Sequence, residues 1–202
     1  MSTSKLISLA CTLLFLSPQA AFPSASTTHF EKGTILHVEE KYLDAVNEFS
    51  LAIKENPKDA ESYYSRAISL INMDRNKDAL PDLNKCLSLD PKHWQAYSWR
   101  GYLSLVRSSS PKTTQEGIDD LSLAAKYWQM DYRDIERDYI YGNRSKAYKK
   151  LGKMAESKAD ALMAEKLLLV KKAKIARESR DMKLSLNMAN KACQALPDDP
   201  NA

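Results

Sequence analysis

The chain has 202 residues, 44% hydrophobic and 28% charged, with 5 glycines; this suits one ordered, helix-rich domain with a sizeable core rather than a disordered chain. The net charge of +4 is lopsided, because residues 140–202 hold 14 Lys/Arg against 7 Asp/Glu (+7) and the remainder sums to −3. Such a basic third can attract acidic peptides, anionic lipid or nucleic acid, or be a plain solvated face, and the excess alone does not choose.

Residues 1–26 read as a secretory signal. Lys5 is the sole charge before Glu31, Leu6–Leu16 is an apolar run too short to span a bilayer, and Ser17-Pro18 breaks it. Small residues follow at Ala20, Ala21, Ser24, Ala25 and Ser26, which places the cut between 20 and 26 and the mature chain in a periplasmic or extracellular space. Import into an organelle is the rival reading, given the Ser/Thr content and the lack of acids, although a transit peptide would carry more arginine. A lipid anchor at Cys11 fits poorly, because most of the apolar run follows that cysteine. After cleavage Cys86 and Cys193 remain, too far apart along an extended stack to bridge, and Cys86 reads as a buried small hydrophobe.

From residue 33 to 101 the chain repeats at an interval of 34. Gly33, Ala67 and Gly101 share one register; Leu36 and Leu70, Ala45 and Ala79, Phe49 and Leu83, Ala52 and Cys86, and Pro57 and Pro91 share others. A fixed period of this length predicts stacked supersecondary units and binding rather than catalysis. Each unit reads as a helical hairpin. The first has helices at 30–38 and 43–54 around a turn near Glu39-Glu40-Lys41. In the second, 62–73 carries apolar residues at helical spacing, Asp74-Arg75-Asn76 forms the turn, and 78–89 is the second helix, ended by Asp90-Pro91. Two antiparallel helices close only where one side is thin, so Gly33 is expected against Ala45 and Ala67 against Ala79, while Ala52 and Cys86 admit the next unit.

The set Tyr63, Ala67, Leu70, Ala79, Leu83, Cys86 and Pro91 resembles the tetratricopeptide repeat. The resemblance implies an all-α, right-handed superhelix of antiparallel helix pairs over 27–199, in units of about 27–59, 60–93, 94–131, 138–171 and a degenerate 166–199. The third unit matches through Tyr97, Gly101, Leu121 and Ala124 once four residues are inserted at its turn, visible as a polar loop over 108–115 that ends in a capping-box signal of Thr113 with Glu116. The fourth shows Tyr141, Ser145, Tyr148, Gly152, Ser157 and Ala164; the extra residues 131–138 are expected to prolong a helix. No Gly or Pro occurs from Met154 to Glu178, so one long helix can run there, and 182–195 reads as a helix capping the stack.

Signals for catalysis, metal or cofactor binding are nearly absent. His29 lies near the cleavage region, His37 and His93 read as helix and turn surface residues with no Cys or acidic partner at ligand spacing, no phosphate loop or nucleophile elbow appears, and neighbouring Asp119 and Asp120 point in different directions. The expectation is a non-enzymatic scaffold without cofactor or small-molecule substrate.

In the family the resemblance names, the first helix of each unit lines a concave groove. By register this chain offers Phe30, Thr34 and His37, then Tyr64, Ile68, Ile71 and Asn72, then Ser98, Tyr102, Leu105 and Val106, and finally Asn143, Lys146, Lys149 and Lys150. The groove is therefore apolar and aromatic at one end and cationic at the other, suited to a protein segment with an apolar half and an acidic half. The alternative is that the basic C-terminal region docks on anionic membrane or nucleic acid with the repeats as spacer, nucleic acid being the weaker of the two. Some family members clamp a terminal carboxylate of chaperone tails, and Tyr141-Gly142-Asn143-Arg144-Ser145 resembles one part of that clamp, but Ser98 and Tyr102 stand where lysine and asparagine are needed. Asn143-Arg144-Ser145 is also a glycosylation sequon, read as chance inside a helix.

Overall fold

In the computed structural model the described residues are 28–107, 109–128, 137–178, 187, 188, 190 and 191. They contain no strand; eight α-helices follow one another as α1 (His29–Val38), α2 (Tyr42–Glu55), α3 (Ala60–Asn72), α4 (Asn76–Leu89), α5 (Trp94–Val106), α6 (Pro111–Tyr127), α7 (Arg137–Lys150) and α8 (Met154–Glu178). Every helix packs on its successor, and the first helices of successive units also touch, α1 with α3 and α5 with α7. This is a stack of hairpins, the all-helical solenoid that the 34-residue period predicts. The readings made for 1–26, for 131–136 and for most of 182–195 lie outside the described residues.

Local chemistry sets the helix ends. Thr28 and Glu31 form a reciprocal capping box on α1, Asp59 accepts from the Glu61 and Ser62 N–H groups of α3, and Ser110 accepts from Thr113 N on α6. The last of these corrects the capping box expected at Thr113 and Glu116. Ser110 is the cap and Pro111 the first helical residue, so the insertion lengthens α6 to 17 residues rather than opening a loop. The second turn is likewise tighter than read. Asp74 takes a left-handed φ of 58°, Arg75 N bonds back to Leu70 O at 2.9 Å, and Asn76 already belongs to α4.

The thin crossings recur in step. Ala45, Ala67, Ala79, Cys86 and Ala124 are fully inaccessible, and Ala52 is nearly so. Gly33 and Gly101 are buried as well. Their partners differ in detail from the expectation. A Cβ on Gly33 would lie 2.7 Å from the Phe49 ring, so phenylalanine rather than Ala45 fills the space that glycine leaves. Gly101 packs against Gly117, whose carbonyl oxygen is 3.0 Å from where a Cβ would stand. Gly117 is the third-unit counterpart of Ala45 and Ala79, displaced by the four inserted residues. In the fourth hairpin two serines take these places, and Ser145 Oγ donates to Ser157 O at 2.7 Å. α8 runs unbroken for 25 residues, across the boundary between the fourth unit and the degenerate fifth.

Candidate groove

Two cavities open between successive first helices. The first, about 200 Å³, is lined by Thr34 and His37 of α1, Tyr64, Ser65 and Ile68 of α3, and Phe49 of α2. The second, about 220 Å³, lies between α5 and α7, where Tyr102, Leu105 and Val106 face Asn143, Lys146, Ala147 and Lys150. Ten of the residues chosen by register are thus brought together in two clusters: Thr34, His37, Tyr64 and Ile68 in one, Tyr102, Leu105, Val106, Asn143, Lys146 and Lys150 in the other.

The remaining choices sit elsewhere. Phe30 stacks on Phe49 at 5.7 Å and lines a separate hollow beside Ala52 and Asn56. Ile71 packs on the core, Ser98 is buried, and Asn72 and Lys149 are exposed without joining either cavity. Trp99, which the register reading left out, forms an aromatic trio with Tyr102 and Tyr139, ring centroids 5.6–6.4 Å apart. Its signal is its place in α5, equivalent to Ser65 and Asn143 in their own units.

The polar chemistry of each cavity is distinct. His37 Nδ1 lies 2.9 Å from Ser69 Oγ, and that hydroxyl already donates to Ser65 O, so the imidazole is the donor. Burial pushes the His37 pKa down, which keeps the ring neutral near pH 7. The other cavity is cationic through Lys146 and Lys150. Asn143 is only 7% exposed there, and its Nδ2 has no hydrogen-bond partner among the described residues. A buried amide donor without an acceptor is costly, and a ligand oxygen entering the cavity would satisfy it. The same burial leaves the Asn143 side chain poorly placed for glycan attachment.

Behind the groove runs a ladder that the register reading did not see. Arg66, Arg100 and Arg144 each make two-point contacts to an aspartate of their own hairpin, Asp82, Asp120 and Asp160, and a third hydrogen bond to the preceding unit, at Ser50, Asn84 and Ser122. Tyr63, Tyr97 and Tyr141, one turn before each arginine, lie under the guanidinium at 5.0–5.9 Å. Hydrogen bonding to the aspartates holds all three arginine pKa values above their ordinary level. The first unit has His29, Lys32 and Glu48 at these positions, and there His29 Nδ1 contacts Glu48 at 2.6 Å.

The structure corrects the surface reading of His93 and its lack of an acidic partner. His93 is buried, caps α5 by accepting from Ala96 N, and meets Glu61 at 3.1 Å. Burial drives the Cys86 thiol up to about 12, well away from nucleophilic chemistry. Among the described residues no His/Cys/Asp/Glu group could hold a metal ion, and no helix is long and apolar enough to cross a membrane.

A family model described as tetratricopeptide repeat matches residues 60–93. Hsp70-Hsp90 organizing protein 2 of Arabidopsis thaliana is 33% identical over 100 residues, covering 48% of this chain and 18% of that protein. DnaJ homolog subfamily C member 3 of Mus musculus is 35% identical over 98 residues, covering 48% of this chain and 19% of its own length. The chain thus spans under a fifth of these curated relatives. Among solved structures, MamA superposes with a TM-score of 0.57 at 15% identity, covering 84% of this chain and 90% of MamA. A thermophilic TPR protein of Thermus thermophilus gives 0.52 at 19% identity, covering 88% of this chain and 94% of that one. These two likenesses speak for the fold alone. The hairpin period, the matched repeat and the shared solenoid agree: residues 60–93 form a tetratricopeptide repeat, and the described chain has the fold of a solenoid of such hairpins.

Proposed function

We propose that this protein is a non-catalytic scaffold that holds a segment of a partner protein along the row of first helices. The observation that carries this reading is the pair of cavities at Thr34/His37/Tyr64/Ile68 and Tyr102/Leu105/Asn143/Lys146/Lys150, which lie between neighbouring first helices. Preformed hollows with a few convergent polar groups suit side-chain anchors of an extended or helical segment. The first cavity favours an apolar anchor beside a neutral imidazole. The second favours an acidic or carbonyl oxygen over an aromatic floor. The relatives named for organising Hsp70 and Hsp90 support a protein partner. A tail clamp of the family type lacks its third-unit groups here, since Ser98 is buried and Tyr102 is aromatic.

The test is photo-crosslinking from Tyr64 and Tyr102 in the native compartment, with the captured segment then titrated as a synthetic peptide. Tyr64→Ala and Tyr102→Ala should each weaken the peptide by about tenfold or more, as truncating an aromatic anchor does. Unchanged affinity in both variants would rule the groove out. Export after loss of residues 1–26 is part of the proposal, and N-terminal sequencing of the native protein should find a first residue between 21 and 27.

A further inference from the structure

α8 bears an apolar stripe that the described chain leaves open. Met154, Leu162, Leu168 and Ile175 are 50%, 49%, 36% and 55% exposed. Met154, Ala161, Leu168 and Ile175 recur every seven residues, and Lys158, Glu165 and Lys172, all exposed, fall between them. Steps of four and three place these seven positions on one side of a helix. From Met154 to Ile175 the stripe is roughly 32 Å long, at 1.5 Å per residue.

We propose that this stripe is a self-association surface, on which α8 of two copies pairs antiparallel about a two-fold axis at Leu168. The charge order argues for a second copy. With Leu168 on the axis, Leu168 meets Leu168 of the second copy and Ala161 lies across from Ile175, small against large. Glu165 then stands beside Lys172 of the second copy, and symmetry makes the same pair twice. A C2 interface needs this kind of self-complementarity. A membrane-binding helix has a different layout, with cations at the margins of an uninterrupted apolar face. Here the carboxylate of Glu165 stands in the middle of the stripe, where an anionic surface would repel it. The exposed area is modest, so the dimer is a weak one.

The full chain should show concentration-dependent association by sedimentation velocity between about 5 and about 300 µM, the range of a weak dimer. Glu165→Lys and Lys172→Glu should each weaken association about tenfold, while the double variant, which swaps the charges, should restore it to within about threefold. Leu168→Glu should leave a monomer. Circular dichroism and thermal midpoints must match wild type in each variant, so that lost association is not lost folding. A wild-type chain that stays monomeric throughout, or a double variant no better than the singles, overturns the proposal. So does a monomeric chain that co-sediments with phosphatidylserine–phosphatidylcholine vesicles and loses this through Leu168→Glu, which would assign the stripe to a membrane. The readout needs no groove ligand, so it stands or falls independently of the function proposed above.

Discussion

Arg66 and Asp82 are joined by two parallel hydrogen bonds, Nε to Oδ2 and Nη2 to Oδ1, each 2.7 Å. The aspartate is buried and the guanidinium mostly so. A third bond from Nη1 to Ser50 ties the arginine to the preceding hairpin. One side chain therefore closes its own unit and docks it on its neighbour, and Arg100 and Arg144 do the same further along the stack.

Breaking this ladder should loosen the joint between units. Asp82→Ala strands a largely buried cation and is expected to cost about 2–4 kcal/mol in urea unfolding. The pair Arg66→Ala/Asp82→Ala should cost less than the sum of its single changes, since the second removal relieves the charge left by the first. Additive losses would mean that the two residues act separately.

Glycines in this protein divide by what surrounds them. Gly33→Ala forces a methyl to 2.7 Å from a buried phenylalanine ring, and Gly117→Ala meets Leu105 at the same distance. Each should destabilise by about 1–3 kcal/mol, the range of core overpacking. Gly142 lies in α7, where an added methyl would have nothing within 4 Å, so Gly142→Ala should stabilise by about 0.5–1 kcal/mol through helix propensity. Chemical denaturation of the three variants checks the contrast.

Turn residues offer a third check. Glu40, Asp74 and Gly152 hold left-handed φ values of 60°, 58° and 73° at the ends of three first helices. Glu40→Gly should raise stability by about 1 kcal/mol by removing the Cβ penalty, and Gly152→Ala should lower it by a similar amount. A thermal melt that moves the other way in either variant would mean that the hairpin turns are not in this geometry.

Acid should weaken the N-terminal hairpin through His37. Its pKa in the folded chain lies below the ordinary 6.5 because burial disfavours the imidazolium. The unfolded state therefore takes up the proton first as pH falls. The stability contribution is complete above about 6.5 and is lost as pH drops through the lower folded value. His37→Gln should flatten the dependence of the unfolding midpoint between about pH 7 and about pH 5, relative to wild type. An unchanged slope would show that other groups carry it.

Fold and groove were legible to different depths. The 34-residue register needs only side-chain size, because each hairpin must be thin at its crossing; Ala67 with Ala79 and Cys86 state this in one dimension. The lengthened α6 was not legible. A polar insertion reads equally as loop or as helix start, and the Ser110 cap together with Pro111 decided it. The arginine ladder was present as Arg66 and Arg100 at the repeat spacing, but its aspartates are 16 or 20 residues distant in the chain, and only the closed hairpin brings them together.

From the residue order alone come the hairpin unit, its period, its small contacts and the uneven charge, all consequences of local helical geometry and side-chain volume. Tertiary structure decided which groove positions share a cavity, that Phe30 and Ser98 do not, that Asn143 is buried without a partner among the described residues, and that α8 leaves an apolar stripe open. Those outcomes depend on the angle at which one hairpin settles on the next. That angle is a sum over many weak packing contacts between residues far apart in the chain.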